Sequence, residues 1–225
     1  MSGPQVIVLA KAPVPGRVKT RLCPPCTPSQ AAAVAAAALA DTLDVVSASR
    51  AGRRILAVDG DYPAPPGWVV LPQRGESLGS RLAHAFADCH RPGTATVLVG
   101  MDTPQLSSQD LDEAFRRLTV PGGPGSVLGP AADGGWWALG LRDVRHAAVL
   151  PGIATSTATT GTETRDALRR RGLRVDSLRT LTDVDTATDA HAVAALCPPG
   201  SRFPAAVEAH VASFRPGAHL VGEGR

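Results

Sequence analysis

The stretch VIVLAKAPVPGRVKTRL, residues 6–22, joins a short apolar run to a loop rich in basic residues. The run at residues 6–10 is mostly β-branched and is followed by proline and glycine, which is typical of a buried strand. The loop behind it holds four cations around one glycine: Lys11, Arg17, Lys19, Arg21 and Gly16. Ligands of open α/β sheets bind outside the carboxyl ends of the strands, and backbone N–H groups near a glycine can approach phosphate while lysine and arginine neutralise it. The stretch therefore predicts a site for a phosphorylated ligand, with a solvated basic loop as the alternative.

Further along the chain, apolar runs of strand character alternate with segments of helical spacing. Thr27 and Gln30 form a capping-box pattern before an alanine-rich helix that reaches about residue 47. The other predicted strands are at 54–58, 68–71, 94–100, 126–130, 136–141 and 173–178, and the other helices at 80–90, 111–118, 163–171 and 187–196, with 152–161 irregular. This alternation predicts an α/β fold with a mostly parallel sheet and helices on both faces. We expect one domain at residues 1–197 and a C-terminal extension at 198–225 with one short helix at 204–214.

Composition argues against several classes of protein. The chain has 225 residues, 44% of them hydrophobic, with a formal net charge of +3 and only 4% aromatic residues. The charge is too small and too dispersed for nucleic-acid or membrane attraction, and no aromatic RNA-binding signature accompanies the basic residues. The first apolar run is too short for a signal peptide, and the alanine-rich run at 31–40 is too short to span a bilayer. We expect a cytoplasmic protein with reduced thiols and with neither nucleic-acid nor membrane partners.

The cysteines do not form a recognisable metal site. Cys23 and Cys26 make one C-x-x-C motif, whereas Cys89 and Cys197 stand alone. A zinc site of the usual spacing would need a second pair, and a redox motif would open a helix. The pair lies instead in a proline-rich segment, which favours a plain loop over a reactive dithiol.

Three aspartates follow predicted strands and could complete the phosphate site. Asp102 comes directly after the strand at 94–100, while Asp183 and Asp185 lie in a late loop. Carboxylates beside phosphate-binding cations are suited to holding Mg²⁺. The alternatives are local: Asp102 as a turn residue before Pro104, Asp185 as a helix cap and Asp133 as an ordinary D-G turn.

Four phrases in order resemble a known family: LAKAPVPGRVKTRL, VGMDTPQL, GPAADGGWWALGL and LTDVDTATD. Over residues 5–196 the chain resembles the bacterial glycosyltransferase-like family of radical-SAM/selenodomain-associated transferases, also called arsenosugar-biosynthesis glycosyltransferases. That family is similar in turn to the 2-phospholactate and molybdenum-cofactor guanylyltransferases. The resemblance implies a GT-A, Rossmann-like fold of the nucleotide-diphospho-sugar transferases.

The resemblance also implies roles for particular residues. The phosphate-binding and nucleotide-binding residues would be Lys11, Gly16, Arg17, Lys19, Arg21, Gln73 and Gly79. Asp102 would be the first ligand of Mg²⁺ or Mn²⁺, and Asp185, or else Asp183, the second. The acceptor side would be lined by Asp133, Gly134 and Gly135. The chain departs from the family pattern at Trp136 and Trp137, where tyrosines are usual, at Ala154, where tryptophan is usual, and at Ala187, where proline is usual.

Three functions fit these residues. The first is nucleotidyl transfer, in which a phosphorylated or carboxylate acceptor attacks the α-phosphorus of a nucleoside triphosphate and pyrophosphate leaves, with Lys19, Arg21 and Asp102 as the catalytic residues. The second is glycosyl transfer from a nucleotide sugar, with Asp133 as the candidate base. The third is a nucleotide-binding module that has lost catalysis.

Overall fold

A computed structural model describes residues 3–212 and contains one seven-stranded sheet. The strands are β1 (Gln5–Lys11), β2 (Arg53–Asp59), β3 (Val69–Pro72), β4 (Thr96–Gly100), β5 (Ser126–Pro130), β6 (Trp136–Leu141) and β7 (Val175–Ser177). Their order across the sheet is β3-β2-β1-β4-β6-β5-β7. Strand β6 is antiparallel to β4 and β5, and the other pairs are parallel. The predicted mostly parallel α/β sheet is confirmed, and β4 lies at its centre.

Helices cover both faces of this sheet, as predicted. Within the described residues they are α1 (Pro28–Ala48), α2 (Leu78–Asp88), α3 (Ser108–Thr119), α4 (Thr160–Arg170), α5 (Ala187–Ala194) and α6 (Arg202–His210), with 3-10 segments at Thr20–Leu22 and Val144–Gly152. Helices α1 and α3 pack on one face, and α2, α4 and the second 3-10 segment on the other. The side chains of β1 alternate accordingly, since Val6 and Val8 face α1 and α3 while Ile7 faces α2. Because both faces are covered, the inner parts of the strands are apolar, as at residues 6–10 of β1, 55–58 of β2 and 97–99 of β4.

Helix α1 begins at the predicted capping box. The Thr27 hydroxyl accepts from the Gln30 N–H at 3.3 Å, and the Gln30 side chain accepts from the Thr27 N–H at 2.8 Å. The alanine-rich run thus belongs to a 21-residue helix that is, among the described helices, the one long and apolar enough to cross a membrane. In this fold 56% of its most apolar 18 residues are buried inside the protein.

The segment between β6 and β7 is more ordered than predicted. The chain forms a 3-10 helix at Val144–Gly152, and α4 begins at Thr160 rather than at residue 163. The Thr160 hydroxyl donates to the Ala154 carbonyl at 2.9 Å and accepts from the Thr157 N–H at 3.2 Å. These bonds tie the first residue of α4 to the loop before it, while the N-cap residue, Thr159, makes no side-chain capping bond.

The C-terminal extension begins with a helix that packs on α1. Phe203 is fully buried, and the Asp41 carboxylate accepts from the backbone N–H groups of Arg202 at 2.9 Å and Phe203 at 2.8 Å. Helix α6 starts two residues before the predicted one, whose last residue, Phe214, lies outside the described residues. The division of the chain at residue 197 stays a prediction.

Candidate active site

Three loops meet at the carboxyl ends of the central strands. Strands β1 and β4 are parallel neighbours, so the loop after Lys11 runs beside Met101 and Asp102. The Lys11 N–H donates to the Met101 sulfur at 3.4 Å. The third loop is tied to the same place, because the Val184 N–H donates to the Asp102 carbonyl at 2.9 Å. The basic loop, Asp102 and the 183–185 segment, which are far apart in sequence, therefore form one surface.

The two aspartates proposed as metal ligands are paired with cations of the basic loop. The Lys19 ammonium contacts the Asp102 carboxylate and donates to the Val184 carbonyl, and its side chain is only 8% exposed. Lys19 adopts a φ of 48°, in the left-handed region that a residue other than glycine seldom occupies. The Arg21 guanidinium donates to Asp185 at 2.9 Å. In this conformation both cations neutralise carboxylates of the same chain.

A first cavity, of about 530 Å³, is bordered by the basic loop, and we call it the cationic cavity. Five basic side chains line it: Lys11, Arg17, Lys19, Arg21 and Arg81. Sequence reasoning missed Arg81, which lies in the first turns of α2 and donates to Asp59 at 2.8 Å. This hydrogen bond, together with the charges of Arg81, Arg17 and Lys11, lowers the pKa of Asp59 against the opposing effect of burial. The only sequence signal for Arg81 was its place just after the 73–79 loop.

A second cavity, of about 590 Å³, adjoins the first, and we call it the acidic cavity. Four carboxylates line it, namely Asp102, Asp133, Asp183 and Asp185. Asp102, Asp185 and Arg21 line both cavities, which therefore meet at the predicted metal ligands. Both volumes lie in the range of small-molecule sites.

Crowding of carboxylates has an electrostatic effect on Asp183. Burial, followed by the negative charges of Asp102, Asp133 and Asp185, raises the pKa of Asp183 to about 7, while Lys19 opposes the rise. Carboxylate oxygens whose negative charge is not balanced by neighbouring cations are suited to binding a divalent cation. Within residues 3–212, however, no three acidic, histidine or cysteine side chains are already arranged as a closed metal site. The donor set fits a hard cation, provided that Lys19 or Arg21 releases its partner.

The remaining predicted nucleotide-binding residues have different positions. Gln73 lines the cationic cavity, but its amide N–H₂ donates to the carbonyls of Ala10 at 2.7 Å and Ala57 at 3.0 Å. Gly79 lines the acidic cavity, and a Cβ there would lie 2.4 Å from the Leu150 carbonyl oxygen. Gly16 adopts a φ of 76° in a loop and lies outside the lining of both cavities.

The D-G-G segment forms one wall of the acidic cavity. Asp133 and Gly135 line it, and the Asp133 carboxylate accepts from the Gly135 N–H at 2.8 Å, as in the D-G turn considered above. Gly134 has a φ of 89°, and a Cβ there would lie 2.1 Å from the Ala158 carbonyl oxygen. Glycine is thus required for the close packing of this turn against the chain before α4.

The two tryptophans that follow D-G-G differ in their surroundings. Trp137 is buried in the core and donates from its indole N–H to the Arg179 carbonyl at 2.9 Å. Trp136 is half-buried at the acidic cavity and donates to the Thr164 hydroxyl at 3.2 Å. Both tryptophans line the acidic cavity, but Trp137 is buried as part of the core, whereas Trp136 keeps part of its surface exposed.

The C-x-x-C motif lies away from both cavities, in the turn that precedes α1. Cys23 and Cys26 are free thiols, and burial, with a smaller effect of Cys23, raises the pKa of Cys26. A raised pKa lowers the thiolate fraction, which makes Cys26 less nucleophilic.

Comparison with solved structures places the fold among nucleotide-binding transferases. A protein from Desulfovibrio desulfuricans G20, described as a nucleotide-diphospho-sugar transferase, is 25% identical with a TM-score of 0.79, over 93% of this chain and 98% of that one. Rv0371c from Mycobacterium tuberculosis H37Rv, solved with manganese, is 23% identical with a TM-score of 0.50, over 85% and 98%. CMP:2-keto-3-deoxy-manno-octonic acid synthetase, solved with CTP, is 12% identical with a TM-score of 0.53, over 86% and 98%. The last two comparisons show similarity of fold alone. The fold agrees with the predicted nucleotide-diphospho-sugar transferase architecture.

Sequence comparison gives a family and no characterised relative. No curated protein matches the chain significantly. Residues 30–157 match a family described as "Uncharacterized protein conserved in bacteria (DUF2064)". Since this match spans more than half of the 225 residues, the chain belongs to the DUF2064 family.

Proposed function

We propose that this protein is a nucleotidyltransferase that uses a nucleoside triphosphate and releases pyrophosphate. The observation that carries the proposal is the concentration of five basic side chains around the cationic cavity, which opens onto a group of carboxylates. A triphosphate brings more negative charge than a sugar diphosphate and makes fuller use of these cations. The CTP complex of one fold neighbour and the manganese complex of another support a nucleoside triphosphate and a divalent cation as ligands.

The side chains have separate tasks in this proposal. Within residues 3–212, Lys11 and Arg17 form no ion pair and are free to bind phosphate. Lys19 and Arg21 turn from Asp102 and Asp185 to the phosphates when the nucleotide arrives. Asp102 and Asp185 would hold Mg²⁺ or Mn²⁺, which would supply charge neutralisation at the phosphates. The acceptor oxygen forms a bond to the α-phosphorus, the bond from that phosphorus to the bridging oxygen breaks, and pyrophosphate leaves with the electron pair.

Glycosyl transfer is the second candidate, and a specific observation favours it. The Desulfovibrio desulfuricans G20 protein is described as a nucleotide-diphospho-sugar transferase, in line with the glycosyltransferase-like subfamily that the sequence resembles. In that reaction the leaving group is a nucleoside diphosphate, and Asp133 in the acidic cavity would act as the base.

Product analysis tests the two reactions against each other. The purified protein is incubated with Mg²⁺, each nucleoside triphosphate or nucleotide sugar, and a panel of small acceptors. Release of pyrophosphate that depends on the acceptor supports nucleotidyl transfer, whereas release of a nucleoside diphosphate from a nucleotide sugar contradicts it in favour of glycosyl transfer. Asp102→Asn should abolish the release, and Asp112→Asn is the matched control, since Asp112 pairs with Arg50 at the surface. Tight nucleotide binding without any turnover would indicate the inactive binding module.

A further inference from the structure

We propose that the acceptor is an uncharged molecule with an apolar body and a hydroxyl group, and that it binds in the acidic cavity. This inference rests on the proposed function, because it takes the cationic cavity as the nucleotide site and the adjoining cavity as the acceptor site. It differs from the phosphorylated or carboxylate acceptor expected from the sequence.

The first argument is the charge of the cavity wall. Four aspartates line the acidic cavity, and among the described residues Arg21 is the one cation in its lining, while Lys19 contacts Asp102 from the cationic cavity. Arg21 is paired with Asp185 at 2.9 Å, and it lies where the two cavities meet, close to the predicted phosphate site. The proposed metal would neutralise Asp102 and Asp185, which leaves Asp133 and Asp183 in the cavity wall without an ion-pair partner among the described residues. An anionic acceptor would face these two carboxylates, and such an arrangement selects against it.

The second argument is the apolar part of the same wall. Leu78 is 43% exposed at the mouth of both cavities, and Trp136 and Ile153 are half-buried. Leu82 and Leu150 continue this apolar surface deeper in the fold. A ligand with an apolar body would cover side chains that are otherwise left facing water.

The third argument is the set of hydroxyl groups in the lining of the cavity. Thr155, Ser156 and Thr157 lie on the loop that precedes α4 and line the cavity. Thr103, next to Asp102, also lines it, is 2% exposed, and has a hydroxyl group without a hydrogen-bond partner in the part of the chain that the structure describes. A neutral ligand bearing a hydroxyl group can bond to such groups without adding charge.

The transfer step then requires a proton acceptor, unlike transfer to an ionised acceptor. The acceptor hydroxyl oxygen forms the new bond to the α-phosphorus, and pyrophosphate leaves with the electron pair of the broken bond. The hydroxyl proton passes to Asp133, which lines the cavity and whose carboxylate forms no ion pair with any residue between 3 and 212. Asp133 is chosen because Asp102 and Asp185 would hold the metal once Lys19 and Arg21 have turned to the phosphates.

Two fluorescent probes with the same body test the charge preference. N-phenyl-1-naphthylamine is neutral, and 1-anilinonaphthalene-8-sulfonate carries one negative charge on the same rings. We expect the neutral probe to bind the wild-type protein about tenfold more tightly or better. Ala158→Lys places a cation on the exposed rim of the cavity and should strengthen binding of the sulfonate by about tenfold, whereas the matched Ala158→Met should not. Equal affinity for the two probes, no binding of the neutral probe, or no effect of Ala158→Lys would overturn the inference.

Two further measurements separate this inference from the proposed function. Binding of each nucleoside triphosphate with Mg²⁺ is measured on the same variants. Ala158→Lys should leave the affinity for the nucleotide unchanged. A changed affinity would mean that the acidic cavity holds part of the nucleotide. Pyrophosphate release is then compared for a panel of primary alcohols and their phosphate monoesters. Activity only with the phosphate esters would contradict the uncharged acceptor while leaving nucleotidyl transfer intact. Absence of any nucleotide binding would instead remove the proposed function itself.

Discussion

Lys19 connects the basic loop to the carboxylates through a nearly buried ammonium group. Its partners are the half-exposed Asp102 and the Val184 carbonyl. Lys19→Met should lower the free energy of unfolding by about 1–2 kcal/mol, because Asp102 keeps its charge beside Asp183 and loses its cation. The double variant Lys19→Met/Asp102→Asn should recover part of this loss, since the unpaired charge is then gone.

Lys19→Met alone distinguishes a binding role of Lys19 from a purely structural one, because the double variant also lacks Asp102, the proposed metal ligand. We expect transfer activity to fall by about 100-fold or more in Lys19→Met. Denaturant unfolding and initial rates measure stability and activity separately. A loss of activity no larger than the loss of folded protein would show that Lys19 only supports the fold.

Asp183 makes the metal-free protein less stable at neutral and alkaline pH. Its pKa in the folded protein is about 7, above the ordinary value of about 4 that it takes when unfolded. The loss of stability that ionisation of Asp183 causes is therefore absent below pH 4, grows between pH 4 and pH 7, and is complete above pH 7. In the presence of a chelator, Asp183→Asn should raise the stability at pH 8 by about 2 kcal/mol and leave it unchanged at pH 4. Thermal unfolding across pH checks this, and an equal effect at both pH values would contradict it.

Individual residues differed in how far sequence could predict them. The basic loop, Asp102 and the 183–185 segment were predicted to converge, because the carboxyl ends of parallel strands share one edge of the sheet. The ion pair of Lys19 with Asp102 was not predicted, since it joins residues 83 positions apart and depends on the left-handed backbone at Lys19. The pairing of Arg81 with Asp59 was also missed, since it too joins residues that are far apart in sequence. Sequence pattern indicates which elements meet, while tertiary packing decides which side chains pair.

At the scale of elements, local signals predicted the boundaries best. Strands β5 and β6 have their predicted limits because D-G-G fixes the turn between them, and α1 begins at its capping box. The 3-10 segment at Val144–Gly152 was not predicted, although the Asp143 carboxylate caps its first turn by accepting from the Arg145 N–H at 3.0 Å. Helix α4 begins without a side-chain hydrogen bond from its N-cap residue, Thr159, so no capping pattern marked its start. One cap residue without a clear periodic pattern behind it was therefore not enough to place an element.

Contact between α2 and the 3-10 segment leads to a prediction about Gly79. A Cβ at this position would lie 2.4 Å from the Leu150 carbonyl oxygen, so the two elements would have to separate. Gly79→Ala should lower the free energy of unfolding by about 1–3 kcal/mol, the usual effect of overpacking. Gly152→Ala, in the same 3-10 segment, is the matched control, because a Cβ there has no neighbour within 4 Å. Chemical denaturation of both variants compares them, and equal stabilities would refute the close contact.

At the scale of the whole molecule, the part of the extension that the structure describes packs against the fold. Phe203 is fully buried in a cluster that also contains Leu22, from the basic loop, and Val184, from the 183–185 segment. Phe203→Ala should therefore cost about 3–5 kcal/mol of stability. The loss of stability in Phe115→Ala, which truncates a buried phenylalanine of the main core, serves as the comparison. A loss below about 1 kcal/mol would mean that residues 1–197 fold without the extension, as the predicted domain division implies.

Charge is also distributed unevenly over the molecule. The formal net charge is only +3, yet cations surround one cavity and carboxylates the next. Overall composition could not show this separation, because the separation arises only when the loops assemble at one edge of the sheet. The proposals above assign a phosphate-rich ligand to one side of Asp102 and a different ligand to the other.

Calorimetric titration of the four nucleoside triphosphates, with and without Mg²⁺, tests the central claim most directly. Wild type should bind at least one of them in a magnesium-dependent manner, and Asp102→Asn should weaken that binding by about tenfold or more, while Asp112→Asn leaves it unchanged. Failure of every nucleoside triphosphate to bind wild type, or equal binding by Asp102→Asn, would contradict the assignment of this surface as a metal-dependent nucleotide site.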